Sequence, residues 1–169
     1  MKSMKNIAPV LLGVCCLLAL VLSAFAAEKP ASGAPVYTIR VGLEQKELDL
    51  IALPRQPYLE GDVLMVPLAE IADALGYQVT VYPASGTVTV DDGYIQKATL
   101  HDGSAAVGLE SYLKVIDMSR TIENTAATVI LDGCAYVPLS FFEEFFNDVQ
   151  VDGTVIYVAP SMCELAATE

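Results

Sequence analysis

Twice in this sequence a short apolar run meets a proline and a leucine, and then a spaced apolar face. In the first instance Val63-Leu64-Met65-Val66 reads as a strand and Pro67 ends it. Leu68, Ile71, Ala72 and Leu75 follow at the i, i+3, i+4, i+7 spacing of one helical face. Pro67 suits a first helical turn, where its missing N–H costs nothing. Glu70 and Asp73 favour the positive end of the helix dipole, and Gly76 can take the left-handed conformation that closes a helix. Val79 and Val81 predict the next strand, Pro83 to Gly86 a turn, and Thr87 to Val90 another strand.

The same order returns downstream. Asp132-Gly133 is a turn, Cys134 to Val137 a strand, and Pro138 the interruption, after which Leu139, Phe142, Glu143 and Phe146 take the helical spacing. Asn147 stands in the place of Gly76, as the other residue that tolerates a left-handed helix end. Val149 and Val151 predict a strand, Asp152-Gly153 a hairpin turn, and Thr154 to Ala159 the closing strand. Two such units predict an internal duplication, with a first unit over about 36–92 and a second over about 93–160.

Elsewhere Val36 to Val41, Leu48 to Leu53 and Tyr94 to Leu100 have strand patterns, and Tyr112 to Ile116 is a further candidate. Asp117 to Ala127 has no period and reads as a loop. The expected fold class is α+β: antiparallel sheets, each with a short helix packed on one face, built from a duplicated strand–Pro–helix–strand–strand unit.

Val66-Pro67-Leu68, then Asp73-Ala74-Leu75-Gly76 and the Val79/Val81 strand, resemble the stalk-type domain named after the N-terminal domain of copper amine oxidases. Tyr136-Val137-Pro138-Leu139 through Phe146 to Thr154-Val155 repeats the resemblance more loosely, and together the two cover most of residues 36 to 160. The resemblance implies a sheet twisted around a helix, found in exported bacterial proteins as a surface or accessory module. Ala69 and Ser140 occupy positions where that pattern usually has Arg, and the chain has no Trp.

The chain opens Met-Lys-Ser-Met-Lys, continues as an apolar run from Ile7 to Leu22, and reaches Ala24-Phe25-Ala26 before Glu28. That order of charge, apolar core and small residues predicts a secretory signal peptide over 1–26, a linker over 27–35 and a secreted or cell-surface product. The alternative is an uncleaved anchor of about 20 residues, which the small-residue ending disfavours. Loss of Lys2 and Lys5 with the signal takes the formal net charge from −12 to −14. Nucleic acid and anionic membrane are poor partners for such a chain, because both need clustered Lys and Arg. Cys134 and Cys163 remain after cleavage and are the candidate disulfide in an oxidising compartment; the alternative is two free thiols, one in a strand and one in the 161–169 tail.

No catalytic apparatus is legible. His101 is the single histidine, so copper held by several imidazoles is not expected, and no cofactor or metal is assigned. A thiol–imidazole dyad would need Cys134 and His101 in hydrogen-bond reach, whereas each has a simpler reading in a strand or a turn. Asp91-Asp92-Gly93 and Asp102-Gly103-Ser104 read as turns, lacking the alternating acids of a calcium loop. Phe141 and Phe145 widen the apolar stripe of the second helix and are the candidate interface, either between the repeats or with a second copy of the chain. The expected function is a non-catalytic exported interaction or scaffold module, its partner an unknown envelope protein or glycan. The alternative is a small domain binding an envelope glycan or peptide, in a groove lined by Tyr58, Tyr77, Tyr82 and Tyr112.

Overall fold

The computed structural model describes residues 35–114 and 119–161. The expected signal, most of the linker, Cys163 and nearly all of the C-terminal tail lie outside them. The two proline corners meet at the centre. Strand β4 (Val63–Pro67) pairs antiparallel with β11 (Cys134–Pro138), setting Val66 opposite Val137, Pro67 opposite Tyr136 and Met65 opposite Pro138. A local two-fold therefore passes through the Val66/Val137 pair. Each central strand gains one outer antiparallel neighbour, β3 (Tyr58–Glu60) on β4 and β10 (Val129–Leu131) on β11, giving the order β10-β11-β4-β3. The β10–β11 link is a two-residue hairpin in which Asp132 and Gly133 both have positive φ, 48° and 83°, as a type I′ turn requires.

From each corner the chain enters a helical turn. Helix α1 (Leu68–Ala74) buries Leu68, Ile71 and Ala72, and Gly76 takes φ +85° just beyond it. Pro67 is the N-cap with extended backbone rather than a residue of the first turn, because it is still paired in the sheet. The second segment, Leu139–Phe145, is a 3-10 helix. Its period of three puts Leu139, Phe142 and Phe145 on one face and leaves Glu143 exposed, in place of the expected α-helical set. The left-handed residue that ends it is Phe146 (φ 57°, ψ 41°), one position before the expected Asn147, and Phe146 is consequently 47 % exposed.

Hairpins follow both helices, and here the halves diverge. Strands β5 (Gln78–Tyr82) and β6 (Thr87–Asp91) continue as a meander through β7 (Gln96–His101), β8 (Ala106–Ser111) and β9 (Arg120–Glu123), all antiparallel. Strands β12 (Asn147–Asp152) and β13 (Val155–Pro160) instead recruit the start of the domain, β1 (Thr38–Val41), which runs parallel to β13, with β2 (Lys46–Glu47) outside it. Among the described residues the architecture is thus α+β and mostly antiparallel, with two short helices and one parallel strand pair.

Three further departures from the expected elements have local causes. The strand expected over Leu48 to Leu53 is replaced by a turn: Asp49 Oδ1 accepts the Ile51 N–H at 3.0 Å, and the Leu53 N–H bonds to Leu50 O at 3.2 Å. Strand β8 goes unannounced because Gly108 and small Ala106 interrupt its buried pair, Val107 and Leu109. Part of the expected Asp117–Ala127 loop is the edge strand β9, which turns only Ile122 toward the core. All three sheets feed one apolar core, with Ile39, Val41, Ile156 and Val158 from one, Val66, Ala135 and Val137 from the second, and Val88, Val90, Leu100 and Leu109 from the third.

Candidate functional site

The best-built polar cluster lies where the two halves meet, around Asn147. Its side chain is 3 % exposed, and its Nδ2 lies 3.0 Å from Phe142 O, 3.0 Å from Phe145 O and 3.1 Å from Tyr77 Oη. An amide nitrogen has two hydrogens for these three acceptors. The consistent assignment gives both to the carbonyls, while the Tyr77 hydroxyl donates to Asn147 Oδ1 at 3.3 Å. Asn147 thus caps the 3-10 helix with its side chain rather than with its backbone. Tyr77 packs its ring on Phe145, centroids 5.5 Å apart, and burial pushes its phenol above the ordinary value despite the bond to Asn147. Beside it Gln96, 1 % exposed, donates from Nε2 to Glu144 O, and Arg120 pairs with Glu144 at 2.5 Å.

Asp92 and Tyr136 serve the main chain in the same way. Asp92 Oδ1 accepts the N–H groups of Tyr94, Ile95 and Gln96 at 2.8–3.0 Å, which fixes the turn between β6 and β7. Tyr136 Oη accepts the Arg55 N–H at 3.0 Å and donates to Arg55 O at 2.5 Å, tying the 51–57 loop to the central strand. The Arg55 guanidinium lies 3.3 Å from the centroid of the Tyr58 ring, which packs against Tyr136 at 5.8 Å. Burial outweighs the Arg55 hydrogen bond and holds the Tyr136 phenol up at about 12.

The residues singled out by chemistry do not converge. His101 ends β7, its Nδ1 3.3 Å from Thr87 Oγ1, whereas Cys134 begins β11 in another sheet. Burial, Glu70 and Asp132 all push the Cys134 thiol up, which disfavours the thiolate a nucleophile needs. Asp91 receives the Gly93 N–H at 2.7 Å and the Tyr112 hydroxyl at 2.7 Å, so that bond pushes the Tyr112 phenol up to about 12. Among the expected groove tyrosines, Tyr58 packs on the central sheet, Tyr77 and Tyr82 flank opposite ends of β5, and Tyr112 follows β8; they do not line one cleft. Phe141 and Phe145 are 0 % and 3 % exposed and pack on each other at 5.3 Å, Phe145 also meeting Tyr77 from the first half. The expected partner of Cys134, Cys163, lies outside the described residues.

Two open grooves mark the surface. One, of about 390 Å³, runs between Tyr37-Thr38 and the Glu47–Ile51 stretch, with Gln56 at its side. The other, of about 630 Å³, separates the outer side of α1 (Ala69, Glu70, Asp73) from Tyr77 to Thr80 at the start of β5.

Residues 46–157 match the family described as the copper amine oxidase N-terminal domain. The chain belongs to that family. The match runs from β2 into β13, and so takes in both proline corners and both helices. No curated protein and no solved structure matches the chain. In a copper amine oxidase the N-terminal domain is non-catalytic. The residues present here do not fit copper either: the one imidazole sits exposed at a strand end against a threonine hydroxyl, and copper in a nitrogen site wants several.

Proposed function

We propose that this member of the copper amine oxidase N-terminal domain family is a non-catalytic, exported interaction or scaffold module of the cell envelope or extracellular space. The observation that carries the reading is where the polar side chains are spent. Asn147, Asp92 and Tyr136 commit their side chains chiefly to main-chain atoms of this chain, Asn147 also to the Tyr77 hydroxyl, rather than aiming them at a common point. Such groups rigidify a platform; they do not assemble a nucleophile, a base and an oxyanion donor around one reacting atom. Export is the reading of the N-terminal 26 residues, with their lysines, apolar core and Ala-Phe-Ala ending.

Duplication of the strand–Pro–helix unit belongs to the same proposal. It is supported by the local two-fold at Val66/Val137, which sets these equivalent valines against each other and each proline against the residue before the other valine. Its asymmetry is a division of labour: one hairpin grows into a five-stranded meander, while the other closes the domain on its first strand. The test is co-sedimentation of the purified chain with washed envelopes from the producing cell. Saturable sedimentation that protease treatment of the envelopes abolishes supports a protein partner. Loss after glycan digestion selects the alternative, an envelope glycan, and sedimentation no greater than that of an acidic control protein refutes both.

A further inference from the structure

Strand β5 is an edge of the five-stranded sheet, bonded to β6 on one side. Among the described residues, no further main-chain hydrogen bond reaches Val79, Thr80 or Val81. Exposed edges invite strand addition, and proteins normally blunt them by shortness, charge or proline. The other edges in this domain are blunted in just these ways. Strands β2, β3 and β10 have two or three residues, β9 carries Arg120 and Glu123, and β12 carries Asp148 and Asp152. By contrast β5 reads Gln78-Val79-Thr80-Val81-Tyr82, with three consecutive β-branched residues and neither charge nor proline.

Alongside this edge runs the groove of about 630 Å³, walled by Ala69, Glu70 and Asp73 of α1. A groove between a helix and a free strand edge is the geometry of peptide recognition by strand addition, in which main-chain bonds give affinity and flanking side chains give specificity. The flanking charge here is acidic, with no basic residue in the lining. A second copy of the chain would bring Glu70 and Asp73 toward their own images, on a molecule already at net −12. A cationic segment meets neither objection.

We propose that the groove between α1 and the free edge of β5 takes an extended, lysine- or arginine-bearing segment of a partner polypeptide, which adds to the sheet as a sixth strand. This rests on the interaction-module reading and names the class of partner. The test titrates the full chain, labelled with nitrogen-15, with a blocked hexapeptide of alternating lysine and valine, and in parallel with its glutamate–valine counterpart. The lysine peptide is expected to shift the amide resonances of Val79 to Val81 and to slow the hydrogen exchange of Val79 and Val81, whose N–H groups face the open edge, and the glutamate peptide to leave them unmoved. Glu70→Lys combined with Asp73→Lys should weaken binding about tenfold, as two rim pairs turn repulsive. Val79→Pro should abolish it by blocking the edge, since the Val79 N–H faces away from β6; should that variant fail to fold, the charge reversal decides.

Equal binding of both peptides, shifts confined to another surface, absence of binding, or self-association through β5 would each overturn the proposal. Co-sedimentation with envelopes is scored separately. A chain that sediments normally but ignores the lysine peptide refutes strand addition and leaves the interaction-module reading standing.

Discussion

Replacing Asn147 by alanine removes the cap of the 3-10 helix and tests whether the polar seam between the halves is structural. The magnitude follows from what each acceptor keeps. Phe142 O retains the Phe146 N–H, and the Tyr77 hydroxyl, freed from Asn147 Oδ1, can turn to Phe145 O 3.4 Å away, so neither carbonyl is wholly orphaned. The cost is therefore near the low end for a buried hydrogen bond, about 1 kcal/mol each and about 2 kcal/mol in all. In urea, with a slope near 1.5–2 kcal/mol per molar for a domain of this size, the midpoint should fall by roughly 1 M with the slope unchanged. Asn147→Asp should cost more at neutral pH, because it turns a carboxylate toward two carbonyl oxygens in a buried site. Equilibrium unfolding of both variants is the assay. A loss under about 0.5 kcal/mol for alanine, or aspartate tolerated better than alanine, would refute the hydrogen-bond assignment.

The face of the 3-10 helix makes a second prediction: Phe145→Ala should cost about 3 kcal/mol, whereas Phe146→Ala should stay within about 0.5 kcal/mol, and an α-helical face would reverse that order. Tyr136 gives a pH dependence. Its folded-state phenol is held at about 12 against an ordinary 10.0, so its contribution is present below pH 10 and is lost as pH rises from there to about 12. Tyr136→Phe should therefore flatten that part of the alkaline decline in urea midpoint, and cost about 1–2 kcal/mol at pH 7 through the freed Arg55 groups. An unchanged alkaline slope in the variant would count against the clamp.

Local signals were strong wherever one residue type enforces one backbone. The Val-Pro-Leu corners, the Asp132-Gly133 hairpin and the Val79/Val81 and Thr87 to Val90 strands were all legible, because proline, positive-φ turns and alternation each act within a few residues. What the sequence concealed was set by tertiary partners. The parallel pairing of β1 with β13 joins residues more than a hundred positions apart, and nothing in Thr38 to Val41 announces it. The 3-10 geometry comes from packing three phenylalanines and from an asparagine that reaches back to two carbonyls, which a reading by α-helical spacing cannot anticipate. Gln96 and Tyr136 carried no local signal beyond a strand position, since their partners lie 48 and 81 residues away, whereas the bonds of Asp92 are local and belong to the turn its sequence already marked.

Intact mass and N-terminal sequence of the chain recovered from fractionated producing cells test the central claim most directly. An exported module predicts a product in the envelope or medium, shortened by the first 26 residues and starting at Ala27. A full-length chain held in the cytoplasmic fraction would contradict it.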